Sequence, residues 1–274
     1  TALSFFDYVI TEDKKLAEDL SNYSLLVSNL KEKGYEAFLV DKLFITNAPK
    51  GIGVIAKEKL NEEYDIVTNG TFFYVGGLYG TLLSSDGNTV LSSTEKSINR
   101  GCVAIQSSGL FRIEFTNSNK VEKIKESLLI NGNKDGPFIN ELIANDPVDA
   151  FLTSGGILIK DEEKISSKDL YKKQMFQQNT NDNNGIEADQ FRLTNHLVFA
   201  LWNEMLFIIV NKKTPKNGKL LQDELSNYGF SDVIKYDGGR GFFFKSTKYG
   251  TLIGEYGAES RSGFAVKVIK LWKK

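Results

Sequence analysis

Histidine and cysteine are nearly absent from this chain: its 274 residues hold one of each, His196 and Cys102. A single cysteine cannot close a disulfide within the chain. It says nothing about compartment, because exported proteins lack disulfides as readily as cytosolic ones. Zinc sites built from cysteine and histidine are excluded, and a serine–histidine–aspartate triad would have to use His196. No apolar run approaches the ~20 residues of a membrane-spanning helix. Neither sign of charge dominates, with 34 basic against 35 acidic residues and a net charge of -1. Nothing therefore asks for a nucleic-acid partner, and a basic patch could arise only by segregation in the fold. The chain opens at Thr1 with neither Met nor a basic-then-apolar leader. That gives the expectation of a trimmed or mature product.

What is present is ordinary globular composition, 41% hydrophobic and 25% charged, with 24 glycines. The length suits one large domain or two small ones. Residues 1–34 read poorly: Leu16 to Leu30 carries helix formers, but Ser21-Asn22-Tyr23-Ser24 interrupts them. From Tyr35 the pattern becomes one of strands. Tyr35 to Asp41, Leu43 to Thr46 and Tyr64 to Thr68 read as strands, and Ile52 to Leu60 as a short apolar piece. Around Lys120 to Leu129 the spacing allows a strand or a short helix. Residues 161–190 are polar and read as one long solvated loop. Further on, Phe191 to Leu201 is apolar on both faces after Asn195, as in a central strand. Trp202-Asn203-Glu204 turns it into Met205 to Val210 as a hairpin. Lys219 to Tyr228 is amphipathic with helical spacing and stops at Gly229. The expected fold is a sheet-rich single α+β domain of many short strands with a few helices, spanning 35–274 after an N-terminal extension.

Three glycine-rich turns each follow a strand: Asn69-Gly70-Thr71, Ser154-Gly155-Gly156 and Asp237-Gly238-Gly239. Converging on one sheet edge, they would line a cavity with backbone. Ordinary turns are the competing reading, and composition alone favours them. Arg192 begins the long apolar strand; its planar fork suits a carboxylate or phosphate, and a structural ion pair serves equally well. His196, on the same strand, reads first as a hydrogen-bonded core residue and second as a general acid or base. Asp237, Asp161 and Asn69 offer oxygen ligands of the kind calcium or magnesium accept, although no spacing specifies a site.

In their order along the chain, these segments resemble the phosphodiester glycosidase family, hydrolases that release N-acetylglucosamine from a phosphodiester. The family's strand ending in Asn-Gly-Gly-Phe-Phe is matched by Ile66-Val67-Thr68-Asn69-Gly70-Thr71-Phe72-Phe73. Its Gly-Gly-Pro turn is matched by Gly155-Gly156-Ile157, and its Arg-Thr strand and hairpin by Arg192-Leu193-Thr194 through Val210. Its glycine-led helix corresponds to Gly218 through Tyr228, and its Leu-Asp-Gly-Gly-Gly-Ser to Tyr236-Asp237-Gly238-Gly239-Arg240-Gly241. The chain departs from the pattern at Thr71, Ile157, Arg240 and Gly241.

The resemblance, which runs from about Tyr35 onward, implies hydrolysis of a sugar-1-phosphodiester at the glycosidic bond. Such a reaction needs a carboxylate near the anomeric carbon and an anchor for the phosphodiester, and the residues expected there are Asp237 as the carboxylate that stabilises or attacks that centre, Arg192 as the phosphate anchor and His196 as a proton carrier. Backbone N–H groups of Gly155, Gly156, Gly238 and Gly239 would assist the anchor. Asn69, Gly70, Thr71, Thr194 and Arg240 complete the expected substrate-binding set. The implied partner is a sugar-phosphate or glycan, and the implied location is that of an exported protein: periplasmic, cell-surface or secreted. Two competing expectations stand beside this: a non-catalytic glycan- or phosphoglycan-binding module of the bacterial envelope, and a structural envelope protein with a vestigial pocket.

Overall fold

The computed structural model describes residues 14–60, 63–71, 73–74, 77–78, 80–87, 90–92, 100–115, 148–172, 174, 193–211, 214–248, 250–254 and 256–269. These build one 14-stranded sheet, antiparallel throughout, a separate two-stranded hairpin and four helices. The expected sheet-rich character holds. The 120–129 segment lies outside the described residues.

Two strands of 13 residues each, β1 (Tyr35–Asn47) and β9 (Val148–Lys160), act as spines of the sheet. β1 pairs through Tyr35–Leu39 with β12 (Met205–Asn211), and through Val40–Asn47 with β16 (Ser262–Val268). The ladder slips between Val40 and Lys42, so the two strands expected here are one strand bent at a bulge. β9 pairs in its first half with β5 (Thr81–Leu83) and β7 (Gly101–Gln106). In its second half it pairs with β13 (Asp232–Lys235) and β10 (Glu163–Lys164). Between the spines run β12, β11 (Leu197–Trp202) and β13 in that order. Outside β1 follow β16, β2 (Ile66–Asn69), β14 (Phe243–Ser246) and the edge strand β15 (Gly250–Ile253). On the other side, β6 (Val90–Ser92) flanks β5, and β8 (Phe111–Phe115) flanks β7. β3 (Phe73–Tyr74) and β4 (Gly77–Leu78) form the separate hairpin.

The sheet curls back on itself. Just past β5, the Ser85 N–H donates to the Ile45 carbonyl at 2.9 Å, and the Ile45 N–H donates to the Ser85 hydroxyl at 2.8 Å. The enclosed core is aromatic at its centre, where Phe199, Tyr236 and Phe264 meet edge-to-face at 4.7–6.1 Å. Side chains alternate along β11: Leu197, Phe199 and Leu201 enter this core, while Val198 and Ala200 face a second one. The strand is thus apolar on both sides, as its sequence predicts.

Helices cover the second core. They are α1 (Lys14–Glu32), α3 (Ser167–Lys172) and α4 (Gly218–Asn227). α1 runs unbroken through Ser21–Ser24 because Tyr23, Leu26 and Leu30 keep helical spacing and are buried on the sheet; that burial outweighs the weak local propensity. Tyr23 stands edge-on to Trp202 at 4.6 Å. α2 (Ile52–Lys59), read in the sequence only as an apolar piece, seats Ile52 and Ala56 beside Val67, Phe243 and Ala265. The hairpin from β11 to β12 turns on Asn203 and Glu204, both at positive φ (48° and 65°), the twist that suits a two-residue turn. α4 is capped by the Asn217 side chain, which accepts the Leu220 N–H at 2.8 Å. The polar stretch from residue 161, expected to be loop throughout, instead opens with β10 and α3. No helix among the described residues is long and apolar enough to cross a membrane.

Tyr236 ties the two halves of the inner core. Its hydroxyl donates to the Leu152 carbonyl at 2.6 Å and accepts the Val103 N–H at 2.9 Å. Burial holds the phenol well above its ordinary pKa, so it stays protonated as that donor. Tyr236→Phe should therefore cost about 1–3 kcal/mol for each of the two buried backbone groups that loses a partner. Urea unfolding measures it, and an unchanged midpoint would show that the hydroxyl holds nothing.

Candidate functional site

Three chain segments converge where β2 ends, where β13 runs out and where β14 begins. The Asn69 side chain joins them. It is fully buried; its amino group donates to the carbonyls of Asp237 at 2.8 Å and Gly70 at 3.1 Å. Its oxygen accepts the Phe243 N–H at 2.8 Å. The Asp237 N–H adds a bond to the Gly70 carbonyl at 3.2 Å. Behind them, the Gly70 N–H donates to the Ser262 carbonyl at 2.8 Å and the Thr71 N–H to the Ser262 hydroxyl at 3.2 Å.

The loop that carries Asp237 wraps around its own carboxylate. One oxygen accepts the Gly238 N–H at 2.8 Å. The other lies over Gly241, where a Cβ would come within 2.1 Å of it; no larger residue fits without moving the acid. The Gly239 N–H donates to the Asn195 carbonyl at 3.0 Å, so the 194–195 segment backs the loop. Thr194 sits in an isolated bridge with Lys216, and its hydroxyl lies beside Gly239. Asn69, Gly70, Thr71, Thr194, Asp237, Gly238, Gly239 and Arg240 thus share one corner of the fold.

Gly155 and Gly156 occupy a different setting from the turn expected of them. They lie inside β9, paired to Gly101 of β7 and Lys235 of β13. A side chain at Gly155 would strike Ile234 and the Tyr236 ring; packing between strands requires this glycine. The strand kinks one residue earlier, at Ser154, whose φ is 64°.

That kink serves Arg100, which the sequence reading missed. Arg100 is buried; its Nε donates to the Gln174 carbonyl at 2.7 Å and its Nη1 to the Ser154 carbonyl at 3.2 Å. Burial lowers the guanidinium pKa to about 9, against the opposing pull of the Asp237 charge. It remains a cation at neutral pH, set behind the acid. An arginine next to the apolar run Cys102 to Ile105 was a legible signal of the kind applied to Arg192. Arg192 itself lies outside the described residues.

His196 does not face the site. Its Nε2 bonds the Lys216 carbonyl at 2.6 Å, and its N–H donates to the Asn211 side chain at 2.6 Å. Burial, with the nearby Lys235 charge, drives its pKa down to about 3. A neutral, enclosed ring cannot serve as the expected proton carrier, and the core reading of this residue prevails.

The oxygen ligands suggested for calcium or magnesium are not assembled either. Asp161 sits beside Asp232, whose side chain accepts the Asp161 N–H at 3.3 Å, at the far end of β13 from Asp237. The polar atoms of Asn69 are committed to backbone. Among the described residues, no group of three histidine, cysteine, aspartate or glutamate side chains is placed to hold a metal ion.

Arg240 marks the exposed rim. Its Nη2 donates to the Tyr256 hydroxyl at 2.6 Å, and the guanidinium carbon lies 4.5 Å from the centre of that ring.

No family model and no curated protein matches the sequence. Among solved structures, the catalytic domain of zebrafish N-acetylglucosamine-1-phosphodiester alpha-N-acetylglucosaminidase, auto-inhibited by its pro-peptide, aligns over 86% of this chain and 83% of its own. Its TM-score is 0.55 and the identity 11%. A hypothetical protein from Synechocystis aligns over 88% of this chain and 58% of its own, with a TM-score of 0.45 and 12% identity. The likeness to the zebrafish domain is one of fold.

Because His196 takes up its proton in the unfolded chain near pH 6.5 but in the folded one only near pH 3, acidification through that window favours unfolding. The native state should lose up to about 1.4 kcal/mol per pH unit from this residue. Urea titrations between pH 7 and pH 4 should give a shallower loss for His196→Gln than for the wild type. Parallel curves would mean that His196 is not the group responsible.

Proposed function

We propose that the protein hydrolyses a sugar-1-phosphodiester at the glycosidic bond, on an N-acetylglucosamine-phosphodiester-like substrate. The observation that carries this is Asp237. Its carboxylate is fixed over Gly241 and on the Gly238 N–H, at a strand end anchored by Asn69. The fold shared with a domain named for that reaction supports it.

The chemistry asks little more of the protein. A glycosidic bond breaks through an oxocarbenium-like state, which a fixed carboxylate stabilises or captures. The departing group is a phosphate monoester with a second pKa of about 6, so it leaves without help from a general acid. The burial of His196 therefore does not weaken the proposal. Water then completes the reaction at the anomeric carbon, delivering one proton to the medium. Asn69 acts as a positioning residue, and the backbone of Gly70, Thr71 and Gly238 lines the approach. Arg100 supplies positive potential behind Asp237.

Asp237→Asn keeps the size and most of the hydrogen bonds of the side chain and removes its charge. Turnover of an N-acetylglucosamine-1-phosphodiester should fall by at least about a hundredfold, with little change in melting temperature. Wild-type turnover retained in the variant would eliminate this role.

A second reading, a non-catalytic phosphoglycan-binding protein, is favoured by one observation: the loop from Tyr236 to Phe242 holds a single carboxylate. Calorimetry run beside the turnover assay separates the two, since the binding protein would show saturable binding by the wild type and no product.

A further inference from the structure

The backbone of the Asp237 loop is pressed against the segment that follows β15. The Gly254 N–H donates to the Phe242 carbonyl at 2.7 Å, and the Tyr256 N–H donates to the Arg240 carbonyl at 2.7 Å. The contact is backbone on backbone. A Cβ at Gly254 would stand 2.2 Å from the Gly239 carbonyl oxygen and 2.7 Å from that of Arg240. A Cβ at Gly257 would stand 2.0 Å from the Phe242 carbonyl oxygen. Neither glycine lies at positive φ, so what demands glycine at both positions is space. The segment is in turn tied to the start of α2, where the Ile52 N–H donates to the Ser260 carbonyl at 2.9 Å. A second segment grips the loop through Asn195. Its carbonyl accepts the Gly239 N–H at 3.0 Å, and a Cβ at Gly238 would come within 2.4 Å of it. The loop is held by two stretches of chain distant in sequence, with the Asp237 carboxylate folded over Gly241.

We propose that Gly254 and Gly257 are positioning residues for Asp237: their lack of side chains lets the segment after β15 clamp the loop and fix the carboxylate for the anomeric carbon. The proposal rests on the hydrolase reading of the Asp237 corner and adds the residues that hold its acid in place. A methyl group at Gly254 has to push the Gly239 and Arg240 carbonyls away by about 1 Å to reach ordinary van der Waals contact. Gly241 follows Arg240 directly and moves with it, so the acid loses its seat. A misplacement of about 1 Å at a reacting group costs up to about a hundredfold in rate. Contacts to the rest of the substrate are untouched, so the loss belongs in kcat and not in KM.

The test sets Gly254→Ala beside Gly250→Ala in the full chain. Gly250 opens β15 at a φ of 75°, with nothing within 4 Å of an added Cβ. Alanine there strains the backbone without pressing on the loop. On an N-acetylglucosamine-1-phosphodiester, Gly254→Ala should lower kcat by about tenfold or more and leave KM within about twofold. Gly250→Ala should keep the wild-type kcat despite a lower melting temperature. Amide hydrogen exchange reads the clamp without turnover. In the wild type, the Gly239 and Phe242 amides should be protected as strongly as those of Gly254 and Tyr256, because all four bonds open together. Gly254→Ala should lose that protection and Gly250→Ala should keep it. An unchanged kcat in Gly254→Ala, or an equal loss in both variants, overturns the proposal. Should Gly254→Ala not fold, wild-type exchange decides: unprotected Gly239 and Phe242 amides overturn the clamp, and protected ones support it. A protected loop without hydrolysis removes the hydrolase alone, and hydrolysis with an unprotected loop removes the clamp alone.

Discussion

The buried amide of Asn69 is the interaction on which the candidate site depends. One side chain satisfies three backbone groups from three different segments: carbonyls at Gly70 and Asp237 and the N–H of Phe243. The Asp237 carbonyl and the Phe243 N–H, left without a partner in the interior, would each cost roughly 1–3 kcal/mol, while the Gly70 carbonyl also accepts the Asp237 N–H. No regular ladder could serve them, because β2 ends at Asn69 and the loop after β13 departs from the sheet there. The amide thus replaces a missing piece of sheet and sets where Asp237 can stand.

Charge around this corner is arranged in depth. Arg100 is buried behind the acid and solvated by two carbonyls. Its depressed pKa shows that desolvation outweighs the attraction of Asp237, yet not by enough to discharge it at neutral pH. Lys216 is likewise buried, with its ammonium 2.9 Å from Glu224 and 4.6 Å above the Tyr35 ring. Its carbonyl receives the His196 ring. The segment behind the glycine loop is therefore braced by a buried ion pair.

Much of the fold was legible because its signals are local. The hairpin at Asn203–Glu204, the Asn217-capped helix and the doubly apolar β11 follow from short-range pattern and turn chemistry. The failures had non-local causes. α1 exists because Tyr23, Leu26 and Leu30 find a sheet formed by residues far away in the chain. β1 is one strand because a bulge at Asp41 lets it change partners. Gly155 looked like turn chemistry, but its small size answers to Tyr236, 81 positions later.

The sequence by itself determined the sheet-rich class, the absence of a cysteine–histidine zinc centre and the location of an acid among glycines at Asp237-Gly238-Gly239. These depend on residue identity and on neighbours a few positions away. Only the tertiary structure decided what each polar residue does. It withdrew His196 into a neutral core, committed the Asn69 amide to backbone and sent Asp161 to the opposite end of a strand. It also set Arg100 behind the carboxylate. Burial and partnership are properties of chain crossings, and the same arginine or histidine is a ligand or a brace according to which strands meet around it.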